Sequence, residues 1–308
     1  MAEVEIVLAT YNGSKYINSQ IESILNQSYT DFELLIHDDE SSDDTKERLC
    51  EFAERDARIK IIDFPKMGSA SANFNFLLTK TSAAYVLCAD QDDIWHENKL
   101  EELLKVMKFY EKVYGNQFPL LVHSDLQLID SNGSVIAESF WAYQNLNPRW
   151  GNSFSRLLTQ NIVTGCAMVV NRALLEKALP VPKSSMMHDW WIAIVACAYG
   201  KIVWIPQATV SYRQHANNEL GAKKFDLNYI LKKVLNLTAR DEACKNLIAT
   251  SAQAAEFAKY FPDSHFTTLA ETYSNLPNMT YLQKRSVMIG NKYFKVGWVR
   301  NAAWLVLT

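Results

Sequence analysis

Apolar and polar residues alternate in distinct blocks along the first third of the chain. Short apolar runs, typical of buried strands, alternate with segments whose apolar residues recur at helical spacing. The pattern predicts four strands separated by three helices, with the strands at residues 4–9, 32–37, 58–64 and 84–89. Such alternation favours a parallel sheet with helices on both faces. The sequence therefore predicts an α/β fold, Rossmann-like, with a mostly parallel central sheet and flanking helices.

Beyond the first third the pattern becomes mixed and then helical. Further strand-like runs occur at residues 120–123, 167–170 and 201–205. A helical pattern with two tryptophans covers residues 189–199, and only helical patterns follow the last strands. We place a boundary near Gly221. This predicts an α/β domain over residues 1–221 and a helical C-terminal region over residues 222–308.

Polar residues follow three of the predicted strands at the point where each strand ends. Thr10, Tyr11 and Asn12 follow the first strand, Asp38–Asp39 the second and Asp90–Asp93 the fourth. In open α/β sheets, ligands bind beyond the carboxyl ends of the strands. The sequence therefore predicts a ligand site at this edge of the sheet.

Asp90 and Asp92 carry the clearest chemical signal among these residues. Two positions apart in an extended chain, their side chains point the same way and can address one divalent cation, or a cation and a ribose hydroxyl. Carboxylate oxygens suit Mg²⁺ or Mn²⁺, and Mg²⁺ is often shared with phosphate oxygens. The alternative is an Asp-rich turn that caps the next helix.

Composition and missing motifs exclude several classes of protein. With 31 basic and 34 acidic residues the net charge is -3, which excludes a polybasic nucleic-acid-binding protein. The five widely spaced cysteines form neither a disulfide framework nor a zinc finger. An acidic N-terminus and the lack of a long apolar run predict a cytoplasmic chain without a spanning helix. Dinucleotide, P-loop, zinc-peptidase and α/β-hydrolase signatures are all missing from the sequence, which leaves a nucleotide held by carboxylates and a metal ion.

Five motifs occur in the order found in one known family. They are Leu8–Gly13, Asp38–Thr45, Ala89–Trp95, His188–Trp191 and Tyr212–His215. The first three resemble the family 2 inverting glycosyltransferases of GT-A fold. The Asp-Gln-Asp-Asp-Ile-Trp string and the two later motifs resemble bacterial rhamnosyltransferases of cell-wall and capsule polysaccharide synthesis. The resemblance covers roughly residues 4 to 221.

The resemblance implies a nucleotide-sugar site at the strand ends. In similar enzymes the segment matching Thr10, Tyr11 and Asn12 lines the nucleotide. The carboxylate matching Asp38 accepts the ring N–H of uracil or thymine, and the one matching Asp90 holds the ribose. A carboxylate only accepts hydrogen bonds, so it selects a pyrimidine that bears an imide N–H.

The resemblance also implies how the metal and diphosphate are held. The match to Asp92 binds the metal ion, Mn²⁺ or Mg²⁺, that bridges the diphosphate. His215 lies in a Tyr-Arg-x-His string that the family places near the metal, and an imidazole is an acceptable ligand for Mn²⁺. Arg213 is a second candidate for the diphosphate, through its planar fork of donors. The alternative places both residues on a polar surface loop.

Gly68 and Asn73 fall where the family has a glycine followed by a polar stretch that enters a helix near the diphosphate. Lys66 stands where the family pattern has Asn. The alternative is a glycine turn with Asn73 on an exposed helix. Asp39 is a secondary candidate for the site, with loop capping as its alternative role.

Asp189 is the candidate general base. The family has an acidic pair here whose second member is the base; this chain keeps that Asp and has His188 at the first position. A carboxylate suits the role because the acceptor hydroxyl loses its proton as it attacks. The alternative is an N-cap for the helix that follows.

Candidates for the acceptor side are Asp125, Trp95 and Trp190. His123–Asp125 ends a predicted strand and resembles the acceptor-side segment of the family, where Asp125 positions the acceptor hydroxyl; a turn residue is the alternative. The two tryptophans offer aromatic platforms for sugar rings, with core packing as their alternative.

The C-terminal segment is basic and rich in aromatic residues. Residues 272–308 carry a charge of +5 in a chain whose total is -3, so residues 1–271 carry -8. Cationic and aromatic side chains on an amphipathic helix suit an anionic membrane surface. This predicts peripheral contact with the inner face of the cell membrane. The alternative is packing on the α/β domain or on a second copy of the chain, as a homo-oligomer.

These features together predict a metal-dependent rhamnosyltransferase. It moves L-rhamnose from dTDP-rhamnose to a saccharide acceptor, expected to be lipid-linked, and has no nucleic-acid partner. One alternative is a UDP-hexose or UDP-N-acetylhexosamine transferase of the same fold. The other is a non-catalytic sugar-nucleotide-binding protein.

Overall fold

A computed structural model describes residues 2–215 and 239–308. The predicted boundary near Gly221 lies outside the described residues. The strands are β1 (Val4–Thr10), β2 (Phe32–Asp38), β3 (Ile59–Ile61), β4 (Tyr85–Ala89), β5 (Ile94–Trp95), β6 (Leu120–Ile129), β7 (Val135–Ala137), β8 (Met168–Asn171) and β9 (Lys201–Arg213). The first helices are α1 (Ile17–Leu25), α2 (Thr45–Arg55), α3 (Ala70–Lys80), α4 (Lys99–Tyr114), α5 (Phe140–Tyr143) and α6 (Phe154–Leu157). They are followed by α7 (Arg172–Ala178), α8 (His188–Tyr199), α9 (Ala239–Tyr260), α10 (Thr267–Ser274), α11 (Tyr281–Gly290) and α12 (Trp298–Leu307).

The strands form one mixed sheet in the order β3-β2-β1-β4-β8-β6-β9-β5, with β7 paired to β6. Strands β3, β2, β1 and β4 are parallel, as the βαβ pattern predicts. The later pairs β4–β8, β6–β8, β6–β7 and β5–β9 are antiparallel. Strands β1 to β4 are therefore the parallel strands that the βαβ pattern predicts.

The register of the parallel strands aligns the polar strand ends. Thr10 lies opposite Asp38 at the end of β1 and β2, and Leu8 lies opposite Ala89 at the end of β4. Strands β1 and β4 are buried along nearly their whole length, which explains their continuous apolar sequences. The predicted ligand-binding edge is thus formed as expected.

Three strands differ from the sequence pattern. The third strand covers only three residues, and the run at 201–205 is part of a longer strand, β9, that continues to Arg213. Strand β6 does not end at Asp125 but continues to Ile129, because the polar side chains of its central part are themselves buried. The expectation that Asp125 follows a strand end is therefore wrong.

The described residues divide into two compact units. The first contains residues 2–140, 164–180 and 202–215, and it holds the sheet with helices α1 to α4 and α7. The second contains residues 141–163, 181–201 and 239–308 and is mainly helical. Its core includes ring contacts of Trp191 with Phe257 and Phe261, at centroid distances of 6.4 and 6.2 Å.

Candidate active site

The end of β2 is fixed by hydrogen bonds to Asp38. Its Oδ1 accepts from the hydroxyls of Thr10 at 2.9 Å and Ser41 at 2.6 Å, and its Oδ2 accepts the Ser41 N–H at 2.9 Å. An ionised carboxylate has about four acceptor positions, so these three contacts leave room for one further donor. The arrangement fits the predicted recognition of one imide N–H.

The loop after β1 is held through its backbone. Four consecutive N–H groups donate to side chains: Tyr11 to Gln91 at 2.8 Å, Asn12 to Ser41 at 2.8 Å, Gly13 to Thr45 at 2.9 Å and Ser14 to Asp43 at 3.1 Å. Asn12 has a left-handed backbone with φ 48°, and its Oδ1 accepts the Ser42 N–H at 2.8 Å. The side chain of Tyr11 is half exposed. Side chains of the chain itself therefore hold this loop in place.

Asp39 and Gly68 belong to one loop contact. The Asp39 carboxylate is buried and accepts the backbone N–H groups of Met67 and Gly68, the latter at 2.9 Å. Gly68 has φ +81°, a conformation that favours glycine. Asp39 thus has the loop-capping role weighed for it, and Gly68 forms the glycine turn. A diphosphate contact at Gly68 stays a prediction.

Asn73 lies inside the protein rather than on an exposed helix. It is 2% exposed, its Oδ1 lies 2.9 Å from Nδ1 of His37, and its Nδ2 donates to the His37 carbonyl at 3.2 Å. The other ring nitrogen of His37 lies 3.0 Å from the Phe64 carbonyl oxygen. The structure gives Asn73 the role of fixing His37 at the end of β2, while its contact with a nucleotide sugar stays a prediction.

Asp92 and His215 meet although 123 positions separate them. Nε2 of His215 lies 2.6 Å from Oδ2 of Asp92, and the two side chains are 17% and 16% exposed. The His215 ring stacks on Tyr16 at a centroid distance of 5.3 Å. The structure thus places together the two residues that the resemblance assigned to the metal, and both remain accessible to a ligand.

Arg213 holds the segment beside this pair. Its Nε donates to the Asp92 carbonyl at 2.8 Å, its backbone N–H to Oδ1 of Asp93 at 3.1 Å, and its guanidinium lies 4.6 Å from the ring centre of Tyr16. The side chain is 5% exposed. Arg213 is therefore buried, and the alternative that places it on a polar surface loop is wrong for this residue. Its contact with a diphosphate stays a prediction.

A buried polar cluster underlies the same segment. Asp93 and Lys99 are fully buried, and Lys99 Nζ donates to the Cys166 carbonyl at 2.5 Å and lies 3.2 Å from the Trp95 ring centre. Burial and the nearby Asp90 charge raise the pKa of Asp93 well above its usual value. Burial lowers the pKa of Lys99 to about 7. Both pKa shifts favour the neutral form of the group, because a charge is costly in the protein interior.

The donor atoms near Asp92 suit a hard divalent cation. A carboxylate and an imidazole converge there, and both are ligands that Mn²⁺ accepts. Carboxylate oxygens of Asp90 and Asp93 and the Cys166 thiol lie within 4.8 Å of one another in a second group. That group is less suitable because Asp93 and Cys166 are buried and burial raises the pKa of both. Asp92 and His215 are therefore the better metal-binding candidates.

The acceptor candidates of the first unit are buried. Asp125 is 4% exposed and accepts from the Ser139 hydroxyl and from the Leu126 N–H at 2.8 Å. Trp95 is 3% exposed, so its ring packs against Lys99 rather than presenting an open face. Asp125 is therefore neither at a strand end nor in a turn. Contact of either residue with an acceptor stays a prediction.

Asp189 lies in the second unit, in the first turn of α8. The N-cap is Met187, so the capping role weighed for Asp189 is wrong. Its side chain is partly exposed, and its Oδ1 accepts the Trp190 N–H at 2.6 Å.

Trp190 is 8% exposed and its indole N–H donates to the Leu157 carbonyl at 2.6 Å, which makes it a packing residue. Burial lowers the pKa of His188 to about 3, so its imidazole is neutral.

Sequence reasoning missed several residues of the first unit. It assigned no role to Gln91, Asp93, Lys99 or Tyr16. Lys99 was detectable, because positions 99, 103 and 107 share one helical face and the other two are apolar. The partners of Gln91 and Tyr16 are distant in sequence, so no local pattern marks them.

A family model named glycosyl transferase family 2 matches residues 5–178, more than half of the chain. The chain belongs to glycosyl transferase family 2. The match covers the ends of β1, β2 and β4, with Asp38, Asp90 and Asp92. It ends before Asp189 and His215, whose assignments rest on motif resemblance alone.

Individual family 2 relatives differ in the donors that their names give. The chain is 33% identical over 56% of its length to UDP-Glc:alpha-D-GlcNAc-diphosphoundecaprenol beta-1,3-glucosyltransferase WfgD of Escherichia coli, and the match spans 62% of that protein. It is 28% identical over 70% of its length to dTDP-rhamnosyl transferase RfbG of Shigella flexneri, and covers 74% of it. A glycosyltransferase family is thus shown, while the donor is not decided.

Solved structures show the GT-A fold of the family. S. aureus TarS 1-349 in complex with UDP-GlcNAc matches 98% of this chain and 78% of its own, with a TM-score of 0.57 and 15% identity. The mannosyltransferase PcManGT from Pyrobaculum calidifontis, in complex with GDP-Man and Mn²⁺, matches 94% of this chain and 73% of its own, with a TM-score of 0.56 and 15% identity. At such identity the likeness concerns the fold.

Proposed function

We propose that the chain is an inverting glycosyltransferase that moves L-rhamnose from dTDP-rhamnose to a saccharide acceptor, lipid-linked, in bacterial cell-surface polysaccharide synthesis. The observation that carries this proposal is the approach of Asp92 and His215 to 2.6 Å at the end of the sheet. Two potential metal ligands from distant motifs converge beside strand ends that carry further nucleotide-binding candidates. A structural role alone does not require an Asp–His pair that remains accessible.

The nucleotide is recognised at the ends of β1 and β2. Asp38 accepts the imide N–H of the pyrimidine at the acceptor position that Thr10 and Ser41 leave open. The loop of Tyr11 and Asn12 lines the nucleotide, and Asp90 holds the ribose. A base without an imide N–H places a lone pair against the carboxylate, which disfavours binding.

Asp92 and His215 would hold Mn²⁺ or Mg²⁺, which would supply Lewis-acid stabilisation of the leaving nucleoside diphosphate. The protein supplies the ligands and their orientation. Tyr16 stacks on the His215 ring, and Arg213 holds the Asp92 carbonyl, so both ligands keep a fixed direction.

Asp189 takes the proton of the acceptor hydroxyl in the proposed reaction. The acceptor oxygen forms a bond to the anomeric carbon while the bond from that carbon to the diphosphate oxygen breaks, and the nucleoside diphosphate leaves. A single displacement inverts the anomeric configuration, so a β-linked dTDP-L-rhamnose gives an α-L-rhamnoside. The partial exposure of Asp189 in the first turn of α8 is compatible with this role.

The substitution Asp189→Asn tests the general base. It should reduce transfer by roughly 10²–10⁴-fold, the usual contribution of general base catalysis, and leave the dissociation constant of dTDP with Mn²⁺ unchanged. The matched control is Asp263→Asn, at an exposed acid of the same unit. Retained turnover in Asp189→Asn, measured as dTDP release with acceptor present, would exclude Asp189 as the base.

A UDP-sugar donor is the second candidate, because WfgD, a UDP-glucose enzyme by name, is 33% identical over its match. Thermal-shift titrations with dTDP-rhamnose, UDP-glucose, UDP-galactose and UDP-GlcNAc, each with Mn²⁺ or Mg²⁺, separate the two. Preferential stabilisation by dTDP-rhamnose supports the proposal, and preference for a UDP-sugar overturns the donor assignment. Donor binding without transfer or hydrolysis would indicate a non-catalytic sugar-nucleotide-binding protein.

In our proposal the second unit contacts the membrane, because a lipid-linked acceptor lies there. No helix among residues 2–215 and 239–308 is long and apolar enough to cross a bilayer. Leu282 and Trp298 are 78% and 82% exposed, and Arg285 lies over the Tyr281 ring at 3.5 Å. Lys284, however, is buried and donates to the Thr308 carbonyl at 2.9 Å, so it is not part of a cationic surface.

Flotation with anionic vesicles tests this contact. The double variant Leu282→Ser/Trp298→Ser should lose most vesicle binding and keep its melting temperature, because both side chains are exposed. Truncation before Tyr281 is a poorer test, since it removes the buried Tyr293 and Trp304. Equal flotation of the natural chain and the double variant would contradict the proposed membrane contact. Concentration-dependent dimer formation lost in the variant would instead assign the surface to a homo-oligomer.

A further inference from the structure

The side chain of Gln91 connects the ends of β1 and β4. Its Oε1 accepts the Tyr11 N–H at 2.8 Å, and its Nε2 donates to the Tyr11 carbonyl at 3.0 Å. A carboxamide with one donor group and one acceptor group can thus pair with one backbone residue as a neighbouring strand would. The pairing continues the β1–β4 contact beyond the last two residues that these strands pair, Leu8 and Ala89.

Gly13 provides the space that this pairing needs. A Cβ added at Gly13 would lie 2.7 Å from Cδ of Gln91, closer than real Cβ atoms approach their neighbours, and 3.3 Å from its Cγ, which is tighter than most Cβ contacts. The backbone at Gly13 is not left-handed, so alanine fits its conformation. The glycine is therefore required by the position of the Gln91 side chain and not by backbone strain.

We propose that Gln91 is a positioning residue that fixes the Tyr11–Gly13 loop to the Asp90–Asp92 segment and thereby sets the geometry of the donor site. The inference rests on the nucleotide-sugar site proposed above. Gln91 lies between the two carboxylates assigned to ribose and metal, and its hydrogen bonds reach the loop assigned to the nucleotide. Nε2 of Gln20 donates to the Asp90 carbonyl at 2.8 Å and holds the same segment from α1.

Five chains measure this role: the natural sequence, the single variants Gln91→Met, Gln91→Ala and Gly13→Ala, and the double variant Gly13→Ala/Gln91→Ala. Gln91→Met keeps the length of the side chain but lacks both hydrogen-bonding groups. It should weaken the binding of dTDP or UDP with Mn²⁺ by roughly tenfold, as expected when two hydrogen bonds that order a loop are lost. Gln117→Met, at an exposed glutamine of the same unit, is the control and should bind as the natural chain does.

Gly13→Ala should weaken binding by a similar factor, because the new methyl group displaces the Gln91 carboxamide. The double variant Gly13→Ala/Gln91→Ala should be no weaker than Gln91→Ala alone, since the methyl group then meets no side chain. Such non-additivity is the signature of a shared contact. Multiplied effects in the double variant would show that the two residues act independently and would overturn the inference.

Two further readouts separate positioning from general stability. Amide hydrogen exchange at Tyr11, measured without nucleotide, should be faster in Gln91→Met than in the natural chain. The donor KM should rise while the acceptor KM stays unchanged. Equal nucleotide affinity in Gln91→Met and the natural chain would overturn only the inference. Failure of the natural chain to bind dTDP or UDP would overturn the proposed function and with it this role of Gln91.

Discussion

Two neighbouring carboxylates after β4, Asp92 and Asp93, occupy opposite environments. Asp92 and its partner His215 are each about one-sixth exposed, and we call them the outer pair. Asp93 is fully buried together with Lys99 and Cys166, and we call these three the inner cluster. One step along the chain therefore separates groups that a ligand can reach from groups that it cannot.

Neighbouring residues of this acidic segment have different roles. The outer pair keeps polar atoms available for a cation. In the inner cluster, burial raises the pKa of Asp93 and lowers that of Lys99, so both groups favour their neutral forms. Asp93 also accepts the Arg213 N–H and Lys99 donates to the Cys166 carbonyl, which anchors the segment to the strand β9 and to the turn before β8. The inner cluster therefore holds in place the segment that carries Asp92.

The largest effect is expected from the outer pair. Asp92→Asn removes the charge that the proposed metal site requires but keeps the size of the side chain. Transfer should fall on the order of 10²–10³-fold, as when one preorganised electrostatic contact to a transition state is removed. The melting temperature should change little because the side chain is partly exposed. Mn²⁺ affinity by calorimetry is the direct measurement, and undiminished affinity would contradict the assignment.

A smaller effect is expected from the inner cluster, and on stability rather than on turnover. Asp93→Ala leaves the buried Arg213 N–H without its acceptor and should cost about 1–3 kcal/mol in the free energy of unfolding. Asp93→Asn is the matched control, because it keeps an acceptor oxygen and adds no charge. Urea denaturation measures both. If turnover per folded molecule fell as far in Asp93→Ala as in Asp92→Asn, the distinction between pair and cluster would be lost.

Local patterns of the sequence predicted the parallel half of the sheet well. The apolar runs of β1, β2 and β4 and the polar residues after them follow from burial on both faces and from the position of strand ends. The same reasoning was wrong about Asp125, because β6 buries polar side chains within its length. Alternation of polarity cannot reveal a strand whose polar residues are satisfied inside the protein.

The candidate site was predictable only in part, for a related reason. The resemblance predicts that Asp92 and His215 bind one metal ion, and the structure places their side chains 2.6 Å apart. The long-range contacts that hold them involve Tyr16, Arg213 and Gln91. These contacts depend on register between distant strands and loops, which local composition does not encode. Motifs therefore indicate the candidate ligand-binding residues but not the residues that support them.

The smallest effect is expected when Lys99 is replaced by Met near pH 8, where its pKa of about 7 leaves the buried amine largely neutral already. An unfolded lysine keeps its proton up to a pKa of about 10.4. Between pH 7 and 10 the unfolded state thus binds more protons, so this group makes the natural chain more stable as pH rises. The free energy of unfolding of the natural chain, relative to that of Lys99→Met, should therefore increase from pH 7 to pH 9. Below pH 6 the difference between the two chains should not change with pH. Chemical denaturation at several pH values measures the difference between the two chains. A difference independent of pH would show that Lys99 titrates normally and that the inner cluster tolerates a full charge.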